Sequence, residues 1–341
     1  MYKSVRTFVN YSHSINNSVP IVRSNIHTAA PLSDRLPMPT RRSALRTFAA
    51  LGACLTLAVS DPTTAAAQTA PAPSMEGKTV LITGSTDGLG RETARVLASR
   101  GAFVIVHGRN AERGKALVNE ITKSGKGRAR FYAADFASLT AVRAFADSVS
   151  ANHPHLDLLV NNAGVLGGET PRRTSTDGHE LHFAVNYLAG FLLTERLLPL
   201  LRSSSPSRIV NVASRAQQPI DFSNVMLETG YSGGRGYAQS KLAQITYTKG
   251  LAERLKGSGV SVYALHPASM MNTTMVLSIG AAPRSTVEEG LASVLHAIDN
   301  TDAPSGTYFN GQIVATPHAQ AMDTAAQARL RALSQQLTGQ R

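Results

Sequence analysis

Cysteine and long apolar runs are both scarce in this 341-residue sequence. Cys54 is the only cysteine, so the chain can form no internal disulfide and no cysteine-based metal site. His182 and His266 have no partner at metal-ligand spacing, so we expect packed or hydrogen-bonded histidines and no metal site. The apolar stretch 48–59 is shorter than the roughly 20 residues that cross a bilayer. We therefore expect no integral membrane span in the mature chain.

Acidic residues are nearly absent from residues 1–67, which contain only Asp34 and Asp61. The basic residues there are Lys3, Arg6, Arg23, Arg35, Arg41, Arg42 and Arg46. No alternation of strands and helices is visible either, so we interpret 1–67 as a targeting segment and 68–76 as a linker. Without the segment the formal net charge falls from +12 to +7. The basic residues that remain are mostly scattered, which predicts no nucleic-acid partner.

The order of features in this segment resembles a twin-arginine export signal. Arg41 and Arg42 precede the apolar stretch 48–59, and small residues ending at Ala67 follow it. We expect cleavage near Ala67 and an exported, periplasmic protein. A mitochondrial presequence is the alternative, because residues 1–33 are basic, serine-rich and free of acids. A cytoplasmic protein is the other alternative, and Met38 is a candidate for the true start.

From residue 77 onward the sequence becomes regular, because short β-branched runs alternate with longer stretches of helical apolar spacing. This alternation predicts an α/β fold, a single doubly wound Rossmann domain whose parallel sheet has helices on both faces. We place the domain at 77–315 and a helical tail at 316–341. The predicted strands are "TVLIT", "FVIVHG", "ARFYAAD", "LDLLVNNAG", "SRIVNVAS" and "VSVYALHP".

Three glycines lie where the first predicted strand gives way to a helix, in "TGSTDGLG". At such a turn a doubly wound fold brings its backbone close to a dinucleotide pyrophosphate, and side chains would block the approach. Gly84, Gly88 and Gly90 leave that room, and a helix beginning near Leu89 points its amide groups at the phosphates. The spacing differs from G-x-G-x-x-G. Taken alone, it is also explained by a purely conformational turn.

Three further motifs follow in order: "NNAG" at Asn161 to Gly164, "NVAS" ending at Ser214, and "YAQSK" from Tyr237 to Lys241. With the glycine turn, they resemble the short-chain dehydrogenase/reductase family over about residues 78–315. The segments "DGHELHFAVNYLAGFLLTERLLPLL" and "GTYF" resemble its retinol-dehydrogenase-like branch most. The resemblance implies a Rossmann-fold oxidoreductase that acts on CH–OH groups with a nicotinamide cofactor.

The candidate catalytic residues are Asn186, Ser214, Tyr237 and Lys241. Tyr237 and Lys241 are four positions apart, so a helix places them on one face, and an ammonium beside a phenol would favour the phenolate. Tyr237 is therefore the expected general acid/base. Ser214, at the carboxyl end of its strand, could hold the substrate oxygen, and the resemblance adds Asn186 to a proton relay. For the Tyr–Lys pair alone, an ordinary amphipathic helix is the alternative.

Arg109 follows the second strand, where an acidic residue would bind the ribose hydroxyl of NAD. A guanidinium there favours the 2′-phosphate of NADP, so NADP(H) is the preferred cofactor and NAD(H) the alternative. In the simpler interpretation, Arg109 points to solvent. By resemblance Asp135 contacts the adenine, although it could instead cap the helix near Ser138. The resemblance also implies cofactor contacts at Ser85, Leu89, Phe136, Asn162, Ala163, Gly164, Tyr237, Lys241 and Pro267.

The region after the sixth strand departs from the family. The usual Pro–Gly pair is Pro267–Ala268 here, and alanine would be restricted if the position needs a positive φ. Met270, Met271 and Met275 then predict an adaptable lid, although they could instead fill a core gap. With 217–235 as the other wall, we expect a small hydrophobic alcohol or carbonyl substrate. A dinucleotide-binding sensor with little turnover is the alternative function, and a homo-oligomer is left open.

Overall fold

The computed structural model of the protein describes residues 72–167, 171–300 and 302–340. The predicted targeting segment 1–67, with Arg41, Arg42 and Met38, and the linker as far as residue 71 lie outside the described residues.

Eight strands form one sheet, and seven of them run parallel. The spatial order is β3-β2-β1-β4-β5-β6-β7-β8, and β8 pairs antiparallel with β7. The strands are β1 (Thr79–Ile82), β2 (Phe103–Gly108), β3 (Arg128–Ala133), β4 (Leu158–Asn161), β5 (Ser207–Val212), β6 (Val260–His266), β7 (Tyr308–Asn310) and β8 (Ile313–Val314). The order reverses beside β1, so the polar ends of β1 and β4 meet at the carboxyl edge, where doubly wound sheets bind ligands.

Helices cover both faces of this sheet, as the sequence predicts. They are α1 (Gly88–Ser99), α2 (Ala111–Ser124), α3 (Leu139–Asn152), α4 (Ala189–Ser203), α5 (Gly233–Arg254), α6 (Thr274–Leu277), α7 (Val287–Asp299), α8 (Ala319–Met322) and α9 (Thr324–Thr338). A π-helical segment, Phe183–Leu188, leads directly into α4. Each face of the sheet packs against its own apolar core, and alternate residues of β1 point into one or the other. Leu81 packs with α3, α4 and α5, whereas Val80 and Ile82 pack with α1 and α7.

The central helix of the core that contains Leu81 is strongly apolar. Within the described part of the chain, the stretch Phe183–Ser203 is the one helix long and apolar enough to cross a membrane. Of its most apolar 18-residue portion, 72% is buried in the fold. Its neighbours explain this apolarity, because it packs between α3 and α5. Helices α8 and α9, in the stretch interpreted as a tail, pack onto α5 in turn.

Candidate active site and cofactor cleft

The turn between β1 and α1 exposes backbone amides at the carboxyl edge of the sheet. Gly84 and Gly88 have φ values of +66° and +49°, in the left-handed region that favours glycine. A Cβ on Gly90 would lie 2.4 Å from Nδ2 of Asn162 and 2.5 Å from the Gly84 carbonyl oxygen. Side chains are thus excluded from the turn, and α1 begins here at Gly88. A pyrophosphate fits such a cradle of amides at a helix N-terminus.

Thr83 and Asn162 fasten this turn to the loop after β4. The Thr83 hydroxyl accepts hydrogen bonds from the backbone amides of Asn162 at 3.0 Å and Ala163 at 2.9 Å. The Asn162 side chain donates back to the Thr83 carbonyl at 2.9 Å. Thr83 could not be identified from the sequence, because its hydrogen-bond partners are distant in the chain and only the fold brings them together.

His107 supports the same turn from β2. Its Nδ1 accepts a hydrogen bond from the Gly84 amide at 3.1 Å, and its ring packs against Phe136 and Phe145 at centroid distances of 4.3 and 4.7 Å. Burial lowers the pKa of His107 to about 4, although the Ala134 carbonyl and Asp135 oppose the shift. The ring is therefore neutral at physiological pH and can accept. Because Phe136 is also buried in the core, only its backbone is free to face a cofactor.

Ser85, another predicted cofactor residue, is buried in the β1–β2 junction. Its hydroxyl donates to the Ile82 carbonyl at 2.8 Å and accepts from the His107 amide at 3.0 Å. Leu89, in the first turn of α1, belongs to the apolar core on the α1 side of the sheet. Both side chains therefore hold the shape of the cleft from within.

Three predicted catalytic residues meet where β5 and α5 approach each other. Helix α5 is capped by Ser232, whose side chain accepts from the Arg235 amide at 3.2 Å, and this cap presents Tyr237 in the second turn. Ser214, just beyond β5, lies near enough to Tyr237 for its hydroxyl to act on the pKa of the phenol. Lys241, one turn further along α5, has its Nζ 5.7 Å from the centre of the Tyr237 ring. The four-residue spacing thus brings phenol and ammonium together.

The charge states differ from the sequence-based expectation that Lys241 would favour the phenolate. Burial raises the pKa of Tyr237, and the hydrogen bond with Ser214 opposes that shift. Burial lowers the pKa of Lys241 to about 7. Its Nζ donates to the Val212 carbonyl and to the Gln244 side chain, both at 2.9 Å. Desolvation outweighs the mutual attraction, so Tyr237 is a neutral phenol here and carries the proton it would donate.

Asn186 joins this group from the π-helical segment, a type of turn common at functional sites. Its Oδ1 accepts from the Val165 amide at 2.7 Å, and its Nδ2 donates to the Val165 carbonyl at 3.1 Å and to Ser240 at 3.0 Å. A Cβ on Gly164 would lie 3.2 Å from Asn186 Oδ1 and 3.7 Å from Lys241 Nζ. Gly164 therefore brings the loop after β4 against both side chains.

The residues at the end of β2 and β3 are largely exposed. Arg109 takes part in none of the ion pairs among the described residues and precedes Asn110, which caps α2. Arg113 in α2 instead pairs at 2.8 Å with Asp87 of the glycine-rich turn, a contact that sequence reasoning missed. Asp135 accepts from the Ala137 amide at 3.0 Å, while Ser138 rather than Asp135 caps α3.

The loop after β6 reaches back to the glycine-rich turn. Ala268 is not among the described residues with positive φ, so the alanine in place of the family's glycine adds no left-handed strain, whereas Met270 has a φ of +52°. A Cβ on Gly88 would lie 3.2 Å from Thr273, so the loop lies beside the phosphate cradle. Met271 packs against the α7 side core, as the gap-filling alternative predicts.

Pro267 and the two histidines considered as ligands are all engaged within the protein. The Pro267 carbonyl accepts from Ser293 at 2.7 Å. His266 lies 3.0 Å from the Ser269 hydroxyl, and burial lowers its pKa to about 4. His182 is bonded to Glu180 and to Gly167. Both are thus hydrogen-bonded histidines, as expected.

Most of the described domain matches a known protein family. The family model "short chain dehydrogenase" matches residues 78–283. Human retinol dehydrogenase 11 is 38% identical over 278 residues, covering 78% of this chain and 87% of the relative. Human retinol dehydrogenase 13 is 37% identical over 285 residues, covering 77% and 85%.

Two solved structures show the same fold. A crystal structure of an uncharacterised protein from Mycobacterium paratuberculosis has a TM-score of 0.66 and 32% identity, covering 79% of this chain and 96% of that chain. A short-chain dehydrogenase from Burkholderia cenocepacia in complex with NADP has a TM-score of 0.58 and 28% identity, covering 70% and 97%. The chain therefore belongs to the short-chain dehydrogenase/reductase family and is an NAD(P)-dependent oxidoreductase.

Proposed function

We propose that the protein is an NADP(H)-dependent oxidoreductase that interconverts a hydrophobic alcohol and its carbonyl, with Tyr237 as the general acid/base. The observation that carries the proposal is the position of Tyr237 beside two groups: Lys241, whose Nζ lies 5.7 Å from the centre of the Tyr237 ring, and Ser214, whose hydroxyl opposes the rise of the Tyr237 pKa. Lys241 and Asn186 both border Gly164 on the neighbouring loop. A phenol, a hydroxyl and a lysine side chain thus come together at the carboxyl edge of the sheet, which suits proton transfer to or from a substrate oxygen.

The chain's own part in the chemistry is to hold and move a proton. The nicotinamide cofactor, when bound, supplies or accepts the hydride. Tyr237 Oη gives its proton to the carbonyl oxygen in reduction and takes one from the hydroxyl in oxidation. Because burial raises the Tyr237 pKa, the phenol keeps its proton at neutral pH and holds it ready for a carbonyl oxygen. The Ser214 hydroxyl donates to the same substrate oxygen and stabilises the negative charge that develops on it.

The preference for NADP(H) is supported by Arg109, an exposed guanidinium at the end of β2. Several solved relatives are complexes with NADPH or NADP, including one from Escherichia coli and the Burkholderia enzyme. Gly84, Gly88 and Gly90 leave room for the pyrophosphate, and Asp135 is the proposed adenine contact. NAD(H) is the alternative cofactor.

The substrate class rests on the relatives and on the lid. Relatives at 37–38% identity are named retinol dehydrogenases. Met275 and Leu277 of α6 leave 37% and 55% of their surface exposed, so apolar groups are available to a hydrophobic ligand. We therefore expect a retinol-like or comparable hydrophobic alcohol, with its aldehyde or ketone as the partner.

A panel of retinal, long-chain aldehydes and aromatic aldehydes, assayed with NADPH and NADH in parallel, tests this proposal. We expect reduction of the hydrophobic aldehydes, faster with NADPH at subsaturating cofactor. Tight binding of NADPH without turnover of any carbonyl or alcohol would instead identify a dinucleotide-binding sensor.

Replacement of the proposed proton donor gives the sharpest prediction. Tyr237→Phe should lose nearly all turnover while its affinity for NADPH survives, because only the hydroxyl is removed. The matched control is Tyr263→Phe, which removes a hydroxyl that donates to Ala303, far from the site. Retention of more than about one tenth of wild-type kcat in Tyr237→Phe would show that Tyr237 is not the general acid/base.

A further inference from the structure

A fully buried carboxylate and an imidazole lie beneath the proposed catalytic tyrosine. Glu180 is 0% exposed and His182 is 3% exposed. Glu180 Oε1 lies 2.8 Å from His182 Nδ1 and also accepts from the His182 amide at 3.0 Å, while Oε2 accepts from the Phe183 amide at 2.7 Å. Three donors therefore surround this carboxylate at the start of the helix, which compensates for its burial.

The second nitrogen of His182 fixes the tautomer of the ring. The Gly167 amide donates to His182 Nε2 at 3.0 Å. A nitrogen that accepts carries no hydrogen, so in the neutral ring the hydrogen is on Nδ1 and is donated to Glu180. One imidazole thus connects the helix start to the loop after β4. Asn186, four positions later, bonds to Val165 of the same loop.

The pair also supports the first turns of α5. The rings of His182 and Tyr237 meet edge to face, with centroids 6.3 Å apart and planes at 88°. A Cβ on Gly236 would lie 3.0 Å from His182 Nδ1 and 3.1 Å from Glu180 Oε1. The backbone just before Tyr237 can rest on the pair only because Gly236 has no side chain. A change in the imidazole would therefore shift both the tyrosine and the loop.

We infer that His182, held as its Nδ1–H tautomer by Glu180, is a positioning residue for Tyr237 and for loop 164–167. It touches no reacting atom and acts through the edge-to-face contact and the Gly167 hydrogen bond. The inference rests on the proposed role of Tyr237 for its kinetic consequence, whereas its effect on the loop is independent of any reaction.

The two hydrogen bonds of the ring can be removed separately. His182→Gln places an oxygen near the former Nε2 and can still accept from Gly167, but it has no donor at the Nδ1 position. His182→Asn offers a donor near the former Nδ1 and loses the bond to Gly167. His182→Leu loses both. The matched control is His153→Gln, a buried histidine that bonds to the Tyr132 hydroxyl at 2.9 Å, away from the site.

We expect kcat for carbonyl reduction to fall in His182→Leu by on the order of tenfold to a hundredfold, as for a small misplacement of a catalytic group. The two polar variants should lie between this value and wild type. The affinity for NADPH should change little, and the alkaline limb of the pH–rate profile, which reports Tyr237, should shift in His182→Leu. His153→Gln should leave kcat and the pH profile unchanged.

Hydrogen–deuterium exchange of the peptide containing residues 164–167 provides the readout that needs no turnover. Exchange should accelerate in His182→Asn and His182→Leu and stay near wild type in His182→Gln. Unchanged exchange and unchanged kcat in His182→Asn, the polar variant that loses the bond to Gly167, would overturn the inference even if His182→Leu failed to fold. Faster exchange in a protein whose wild type turns over no substrate would support the positioning of the loop and count against the proposed function alone.

Discussion

In the proposed preference for NADP(H), the 2′-phosphate is recognised by one exposed side chain, Arg109, which takes part in no ion pair among the described residues. Arg109→Ala should raise the KM for NADPH about ten- to a hundredfold, the effect of losing a charge-assisted contact of roughly 1.5–3 kcal/mol. The KM for NADH should hardly change, because NADH lacks the extra phosphate. Steady-state kinetics with both cofactors measures the difference.

The control for Arg109 is Lys115→Ala, which removes an exposed cation from the neighbouring helix α2. It should leave both KM values near wild type. Equal losses for NADPH and NADH in Arg109→Ala would show that this residue does not recognise the 2′-phosphate.

His107 should make the protein sensitive to acid. Its pKa is about 4 in the folded state and near 6.5 when unfolded, so between these values only the unfolded chain binds the proton. Stability is therefore lost as the pH falls through this range. In His107→Asn the loss between about pH 7 and about pH 4.5 should be smaller by on the order of 2 to 3 kcal/mol. Urea denaturation of both proteins at the two pH values measures it.

His107 also affects the cofactor cleft, because it accepts a hydrogen bond from the Gly84 amide of the glycine-rich turn. Asparagine can still present an acceptor to the Gly84 amide, whereas His107→Leu leaves that half-buried donor unpaired. His107→Leu should therefore weaken NADPH binding more than His107→Asn does. Equal pH dependence in wild type and His107→Asn would show that His107 does not titrate in the range given by its pKa.

Among the secondary-structure elements, strands β1 to β6 could be predicted because each carries its own short run of β-branched, other apolar or aromatic residues. Strands β7 (Tyr308–Asn310) and β8 (Ile313–Val314) were missed, because three and two residues are too few to show a pattern. The glycine turn and the Tyr237–Lys241 spacing are likewise local. Glu180 and His182 could not be predicted, because their role depends on contacts with Gly167 and Gly236 that only the fold creates.

The contacts of helix α9 with the core could not be predicted from the sequence either. As a polar, alanine-rich stretch it was interpreted as a tail, yet Leu330 is buried and Ser334 bonds to the Tyr187 hydroxyl at 2.7 Å. Tyr187 lies in the π-helical segment beside Asn186. The helix therefore contributes to the core that holds a proposed catalytic residue.

Leu330→Ala should consequently destabilise the protein by about 2–5 kcal/mol, as for a buried leucine. The neighbouring Arg331→Ala, an exposed position, should change the free energy of unfolding by less than about 0.5 kcal/mol. Denaturant titration compares them. Similar small effects for both would mean that α9 is dispensable for the packing of the core.

At the scale of the whole molecule, all proposed functional groups come from one edge of the sheet. β1, β4, β5 and β6 each end there, and their following loops supply the glycine turn, Asn162, Ser214 and Pro267 in turn. Helix α5 brings Tyr237 and Lys241 to the same edge, and the π-helical segment brings Asn186 there. Such a site exists only in the folded domain, because at least one helix separates each of these strands from the next in the sequence.

This dependence on folding bears on how the protein reaches its location. We propose export by the twin-arginine route, which carries folded proteins, because Arg41 and Arg42 precede an apolar stretch that ends in small residues at Ala67. Replacement of both arginines by lysine should leave the full-length precursor in the cytoplasm, folded and able to bind NADPH. N-terminal sequencing of the natural protein should find a start near Gln68. A start at Met1 or Met38 in a cytoplasmic fraction would refute export, whereas cleavage near residue 30 in an organelle would support the mitochondrial alternative.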